Sequence, residues 1–82
     1  MPQYTILLFG PAAAAITMDR VVIQSAELCS ADQLKVLMIQ QFPALDVYLD
    51  AGRLAVNQSF VIGETIISTS DETALITMVS GG

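Results

Sequence analysis

Along residues 4–9 (YTILLF) apolar and polar positions alternate loosely, so an extended chain would place Tyr4, Ile6 and Leu8 on one face and Thr5, Leu7 and Phe9 on the other. The β-branched, aromatic and aliphatic content of the run, closed by Gly10-Pro11, predicts an opening strand that ends in a turn. Its second face is too apolar to be simply solvated and is expected to be covered or used for docking. Ala12 to Ala15 specify little packing; Pro11 suits a first helical position and alanine favours helix, so a helical turn is expected there. Asp19 to Gln24 (DRVVIQ) predicts a second strand, so the chain is expected to begin with a hairpin.

Ser30 followed by Gln33 has the spacing of a capping box, in which each side chain satisfies the other residue's free backbone N–H. A helix is expected to start there. Leu34, Leu37, Met38 and Phe42 recur at helical spacing and form one stripe suited to packing on a sheet, and Pro43 stops the helix soon after Gln41. Val36 and Ile39 lie off that stripe beside Asp32 and Gln40, where simple amphipathicity leaves them either touching a partner or merely tolerated.

Asp50-Ala51-Gly52 reads as a turn. Arg53 to Val61 (RLAVNQSFV) then predicts a strand, a tight reversal at Asn57-Gln58 and a short return strand, since asparagine tolerates left-handed backbone angles. Polar Ser68 to Asp71 forms a last loop, and the β-rich Glu72 to Val79 leads into the chain end. The order β-β-α-β-β-β within 82 residues points to an α+β fold, one mixed sheet curled over one main helix. A single domain over 1–82 is expected, with the last strand pairing with the first and residues 77–82 leaving as an extended arm.

Composition narrows the functional classes. Hydrophobic residues are 54% of the chain and charged residues 13%, too apolar for disorder and apolar enough to expect a partner on part of the surface. A net charge of -5, with Arg20, Lys35 and Arg53 the only cations, cannot neutralise a row of phosphates, which argues against nucleic acid and suits basic protein surfaces. No apolar run approaches the roughly 20 residues needed to span a bilayer, and Met1-Pro2-Gln3 lacks the basic start of a signal peptide, so no membrane and a cytoplasmic location are expected. Cys29 is the single cysteine, so an internal disulfide is excluded, and without histidine a transition-metal site would rest on carboxylates alone; no metal is expected. The missing histidine also removes the commonest general base, so any chemistry must take its catalytic groups from another protein.

The helix ending in FPAL (Phe42 to Leu45), the segment AVNQSFV (Ala55 to Val61) and the terminus VSGG (Val79 to Gly82) resemble the β-grasp sulfur carriers, relatives of ubiquitin, and among them the small subunits of molybdopterin synthase. The likeness spans nearly the whole chain; its specific parts are the Val-Asn-Gln corner, the terminal Gly-Gly and the length between them. The resemblance implies a β-grasp fold and a cycle in which no cofactor is bound. An ATP-dependent adenylyltransferase, similar to ubiquitin-activating enzymes, activates the terminal glycine, and a sulfur donor protein converts it to a thiocarboxylate. A large synthase subunit then spends that sulfur on a cyclic pyranopterin phosphate, making the dithiolene of molybdopterin. Carried onto this chain, Gly82 is the modified residue and Gly81 its partner in the channel, while Val79, Ser80, Phe9, Phe60 and Ile76 match positions that meet partners. A dimer of small–large pairs is the assembly implied. Family members usually carry Pro-Pro before the last valine, where this chain has Thr77-Met78, and an Asp-Gly-Asp-Glu turn where it has Ser70-Asp71-Glu72-Thr73.

The residue types suit that chemistry. A carboxylate, ionised at neutral pH, is a poor electrophile until a leaving group is supplied. Glycine has no Cβ, so Gly81 and Gly82 can thread where a side chain would clash. From Thr77 to Gly82 an extended arm would reach about 20 Å. Against these readings stand plainer ones. Gly-Gly alone is also what a frayed chain end looks like. Phe9, Phe60 and Ile76 could be ordinary core, Cys29 reads better as a small buried hydrophobe than as a sulfur relay, and Asp71 with Glu72 reads better as a polar turn than as an acid–base pair. Arg53 and Lys35 are most simply solvated charges. Three rival functions remain: a thiamine-pathway sulfur carrier, a ubiquitin-like modifier joined through Gly82 to lysines of target proteins, and a plain interaction domain with an inert tail.

Overall fold

In a computed structural model, which describes residues 2–77, the opening alternation becomes strand β1 (Gln3–Leu8), with Tyr4, Ile6 and Leu8 buried and Thr5 exposed. Helix α1 (Gly10–Ile16) joins it to β2 (Arg20–Gln24), which returns antiparallel in a register that pairs Tyr4 with Ile23 and Ile6 with Val21. Strand β3 (Cys29–Ser30) leads into the main helix α2 (Ala31–Gln41), and a 3₁₀ turn (Pro43–Leu45) and helix α3 (Asp46–Ala51) follow. The chain then forms β4 (Gly52–Val56), β5 (Ser59–Phe60), β6 (Ile66–Ile67) and β7 (Thr73–Thr77). The main sheet runs β2-β1-β7-β4-β5. Only β1 and β7 are parallel; β7 is antiparallel to β4, which is antiparallel to β5. The expected meeting of first and last strands thus occupies the middle of the sheet.

Helix α2 starts as its sequence predicts. The Ser30 hydroxyl accepts from Gln33 N and the Gln33 side-chain Oε1 accepts from Ser30 N, so two otherwise free donors are satisfied reciprocally. Leu34 and Met38 are fully buried against Tyr4, Ile6, Ile23, Leu54 and Leu75, while Leu37 and Phe42 pack on the margin of that core. Burial of a side chain such as Leu34 contributes about 2–3 kcal/mol. Ile39 is half-buried at the core's edge and Val36 is exposed, so the two off-stripe residues have different environments.

Three features go beyond the expected order. Residues 10–16 form a helix of two turns rather than one turn, with Ala12 buried, so β1 and β2 are not a tight hairpin. Residues 46–51 are helical where Asp50-Ala51-Gly52 suggested a turn, because Leu45 and Leu49, one helical turn apart, both bury into the core. A second, two-stranded sheet pairs Cys29 with Ile67 and Ser30 with Ile66. It is pinned to the main sheet by one buried hydroxyl: Tyr4 Oη donates to Ile67 O at 2.7 Å and accepts from Cys29 N at 2.8 Å. At the open edge of β2, the Gln41 carboxamide receives a hydrogen bond from Gln24 N and donates one to Gln24 O, standing in for a neighbouring strand. Among the described residues, no helix is long and apolar enough to cross a membrane.

Tyr4→Phe keeps the ring and deletes the pin, leaving a buried N–H and a buried carbonyl unpaired. It should lower the unfolding free energy by about 2–4 kcal/mol in urea titration, against less than about 0.5 kcal/mol if the hydroxyl were not structural.

Candidate functional site

One face of the main sheet carries α2; the other has no helix on it among the described residues. Strand register builds that outer face row by row. Arg20, Leu7, Ala74, Ala55 and Phe60 are successive partners from β2 through β1, β7 and β4 to β5, so their side chains share one side. The next row sets Ile76 opposite Arg53, and Phe9 follows directly on Leu8 at the end of β1. Ala55 and Ala74 are buried, 7% and 8% exposed, although no element covers them. Their cover is the wall of larger neighbours: Phe9 and Phe60, each 52% exposed, and Ile76. The result is a groove of about 430 Å³ with an alanine floor, aromatic and aliphatic walls, and Gln58 and Glu72 at its polar end. The Arg53 guanidinium carbon lies 5.8 Å from the centre of the Phe60 ring, within cation–π range, so the groove also has a cationic rim.

The corner beside the groove is fixed by Asn57. Asn57 and Gln58 have φ of 51° and 69°, and Val56 pairs with Ser59, which makes a two-residue hairpin of the primed kind that matches strand twist. Asparagine accommodates the first left-handed position, and its side chain ties the turn to the loop before β7. Asn57 Nδ2 donates to Asp71 Oδ1 at 3.1 Å, Asn57 Oδ1 accepts from Glu72 N at 3.0 Å, and Asn57 N donates to Glu72 O at 2.7 Å. Asp71 Oδ2 in turn accepts from Ser68 N. Asp71 is therefore a turn-forming carboxylate, and Glu72 points into the groove's end rather than into a paired acid site.

Of the residues singled out from sequence, Phe9, Phe60 and Ile76 come together on this groove. Val79, Ser80, Gly81 and Gly82 lie outside the described residues, which stop at Thr77, the last residue of β7. Cys29 belongs to the buried core, its sulfur 3.2 Å from Ser25 Oγ, as a small buried thiol. Sequence reasoning passed over Ala55 and Ala74, whose role depends on pairing between distant strands, and treated Arg53 as simply solvated. The only local signal for the floor was that Ala55 lies two residues before the hairpin and so faces Phe60 across it. Among the described residues there is no group of three or more His, Cys, Asp or Glu side chains that could hold a metal ion.

The ThiS family model matches residues 6–82. No curated protein matches the chain significantly. Among solved structures, SAMP1 from Haloferax volcanii is similar with a TM-score of 0.81 at 20% identity, covering 98% of this chain and 99% of that one. The small archaeal modifier protein 1 of Methanosarcina acetivorans gives 0.77 at 18% identity, covering 100% and 98%. A chain in the complex of subunits 1 and 2 of the molybdopterin-converting factor of Helicobacter pylori gives 0.68 at 21% identity, covering 98% and 99%. At these identities the likeness to solved structures concerns the fold.

Because the groove walls are exposed, they should matter little to folding. Phe60→Ser is expected to change the unfolding free energy by less than about 1 kcal/mol, whereas a core phenylalanine truncated in this way would cost about 3 kcal/mol or more; urea titration separates the two.

Proposed function

The chain belongs to the ThiS family of β-grasp sulfur carriers, and from that premise we propose that it carries sulfur on Gly82 as the small subunit of a molybdopterin synthase. The observation that carries the reading is the extent of the family match, which takes in the core, the Asn57 corner and the run through Val79 and Ser80 to Gly81-Gly82. The groove supports it. A carrier with no histidine has to present its chain end to catalytic groups on other proteins, and a partly apolar face beside the last strand is a means of docking them.

In this reading ATP is a substrate of the activating enzyme, a relative of ubiquitin-activating adenylyltransferases, and nothing is bound permanently by the carrier. The Gly82 carboxylate attacks the α-phosphorus of ATP and releases pyrophosphate. The resulting acyl adenylate has AMP as its leaving group; the terminal sulfur of a persulfide on the donor protein displaces it to give an acyl disulfide, and a second thiol then attacks the donor's sulfur and breaks the S–S bond, leaving the thiocarboxylate on Gly82 and a disulfide between the two thiols. That sulfur is soft, anionic and nucleophilic, suited to attack on a cyclic pyranopterin phosphate held by a large subunit. The Helicobacter pylori structure, in which a protein of similar fold is complexed with subunit 2 of its converting factor, supports a large-subunit partner for this chain too. The assembly proposed is a dimer of small–large pairs in the cytoplasm, with Phe9, Phe60, Ile76, Val79 and Ser80 at the interface and Gly81 and Gly82 in the active site of the partner.

A second reading is favoured by the two SAMP1 structures, whose name describes small archaeal modifiers: conjugation of Gly82 to lysines of other proteins. Thiamine-pathway sulfur transfer has the same tail chemistry and differs in the partner recovered. Intact-mass analysis of the chain from its own cell should find one terminal oxygen replaced by sulfur, and co-purification should yield a large synthase subunit. A ladder of conjugates on a denaturing gel, with no sulfur-bearing species, would instead establish the modifier; a thiazole synthase in the pull-down would move the carrier to the thiamine pathway.

A further inference from the structure

We propose that the outer edge of β2 is a site where a second copy of this chain adds strand to strand, and that Gln41 guards it. The main sheet ends at β2 on one side and at β5 on the other. With two residues β5 is too short to template another chain, whereas β2 has five. In an antiparallel ladder successive residues turn their N–H and C=O alternately toward and away from the neighbouring strand. Asp19 O accepts from Leu8 N and Ser25 N donates to Pro2 O, so the odd positions of this stretch face β1. Arg20, Val22 and Gln24 therefore turn their backbone groups outward. Gln41 engages those of Gln24, its carboxamide 3.5 Å from Gln24 N and 3.1 Å from Gln24 O. Those of Arg20 and Val22 meet no partner among the described residues.

The open edge is complementary to itself. A twofold axis beside Val22 sets Val22 against Val22 of the second copy and each Arg20 against the other copy's Gln24, every facing pair exchanging two hydrogen bonds. No like charges are opposed: Arg20 meets a carboxamide, Val22, 45% exposed, meets its own image, and Asp19 falls opposite Ser25. The side chains of Arg20, Val22 and Gln24 are exposed, so the two sheets join without disturbing a core residue. Gln41 enters as a competitor. Two of the three facing pairs use Gln24, once from each copy, so full pairing in the unchanged protein breaks as many Gln41 bonds as it forms at those positions and gains only the central Val22 pair. Without the carboxamide, Gln24 of the free chain bonds to water and all three pairs count toward association. The contact does not depend on what the chain carries.

The test removes the guard and then the edge. Gln41→Ala deletes the carboxamide at an exposed position, the last of α2, where alanine favours helix, so urea titration should still show cooperative unfolding. Sedimentation equilibrium then measures self-association. The dimer dissociation constant of Gln41→Ala should fall about a hundredfold or more below that of the unchanged protein. Val22→Pro removes an outward N–H that β1 does not use, a place where edge strands accept proline, and adding it to Gln41→Ala should return the chain to a monomer. A Gln41→Ala chain no more associated than the unchanged protein overturns the proposal. A dimer that Val22→Pro leaves intact also overturns it, by placing the contact elsewhere. Gln41→Met, unbranched and of similar length, replaces the alanine variant should that one unfold, with the same shift expected. Unfolding of both would make Gln41 a requirement of the fold rather than a guard, and would overturn the proposal too.

Discussion

The structure depends most on the pairing of β7 between β1 and β4. A strand at the centre of a sheet has backbone donors and acceptors engaged on both edges, so it cannot slide without breaking two ladders at once. Register here also fixes the faces. Leu75 is fully buried toward α2 and sits level with Leu8 and Leu54, while Ala74 and Ile76 face the other way. A slip of one residue would put Leu75 on the outer face and Ala74 into the core. The same pairing therefore determines what fills the interior and what floors the groove.

The outer face then follows from side-chain size. Small residues occupy the two central strands of the groove, Ala74 and Ala55, and large ones its flanks, Phe9 and Phe60. Alanine on a strand lowers the surface, so the flanking aromatics stand proud of it with their edges and faces exposed. Charge is arranged along the groove rather than across it, with Arg53 stacked on Phe60 toward the Thr77 end and Glu72 toward the Asn57 corner. The groove thus has an apolar centre and charged ends. With net charge -5 and so few cations, the position of Arg53 is the more informative of the two.

Much of this was legible in the sequence where the determinants are local. The Ser30–Gln33 box, the Leu34/Met38 spacing and the left-handed preference of Asn57 each act within a few residues, and each appears as expected. What was not legible depends on distant partners. Two-residue strands such as β3 and β6 have no periodicity to read, and they exist because the Tyr4 hydroxyl and their mutual pairing satisfy them. Helix α3 is too short for a clear pattern, and its Asp-Ala-Gly ending mimics a turn; its Leu49 finds the core only after the 3₁₀ turn has redirected the chain. Phe9, Phe60 and Ile76 were chosen by family resemblance, and their convergence on one groove depends on a parallel contact between residues almost seventy positions apart.

The central claim is that a compact body presents a chain end that other proteins load. The most direct measurement is to add one alanine after Gly82 and follow sulfur transfer to the extended chain by its purified activating enzyme and donor, with mass spectrometry confirming that the extra residue stays in place. The account predicts that the extended chain still binds its partners through the groove and acquires no sulfur. Sulfur appearing on a chain whose added alanine is intact would contradict it.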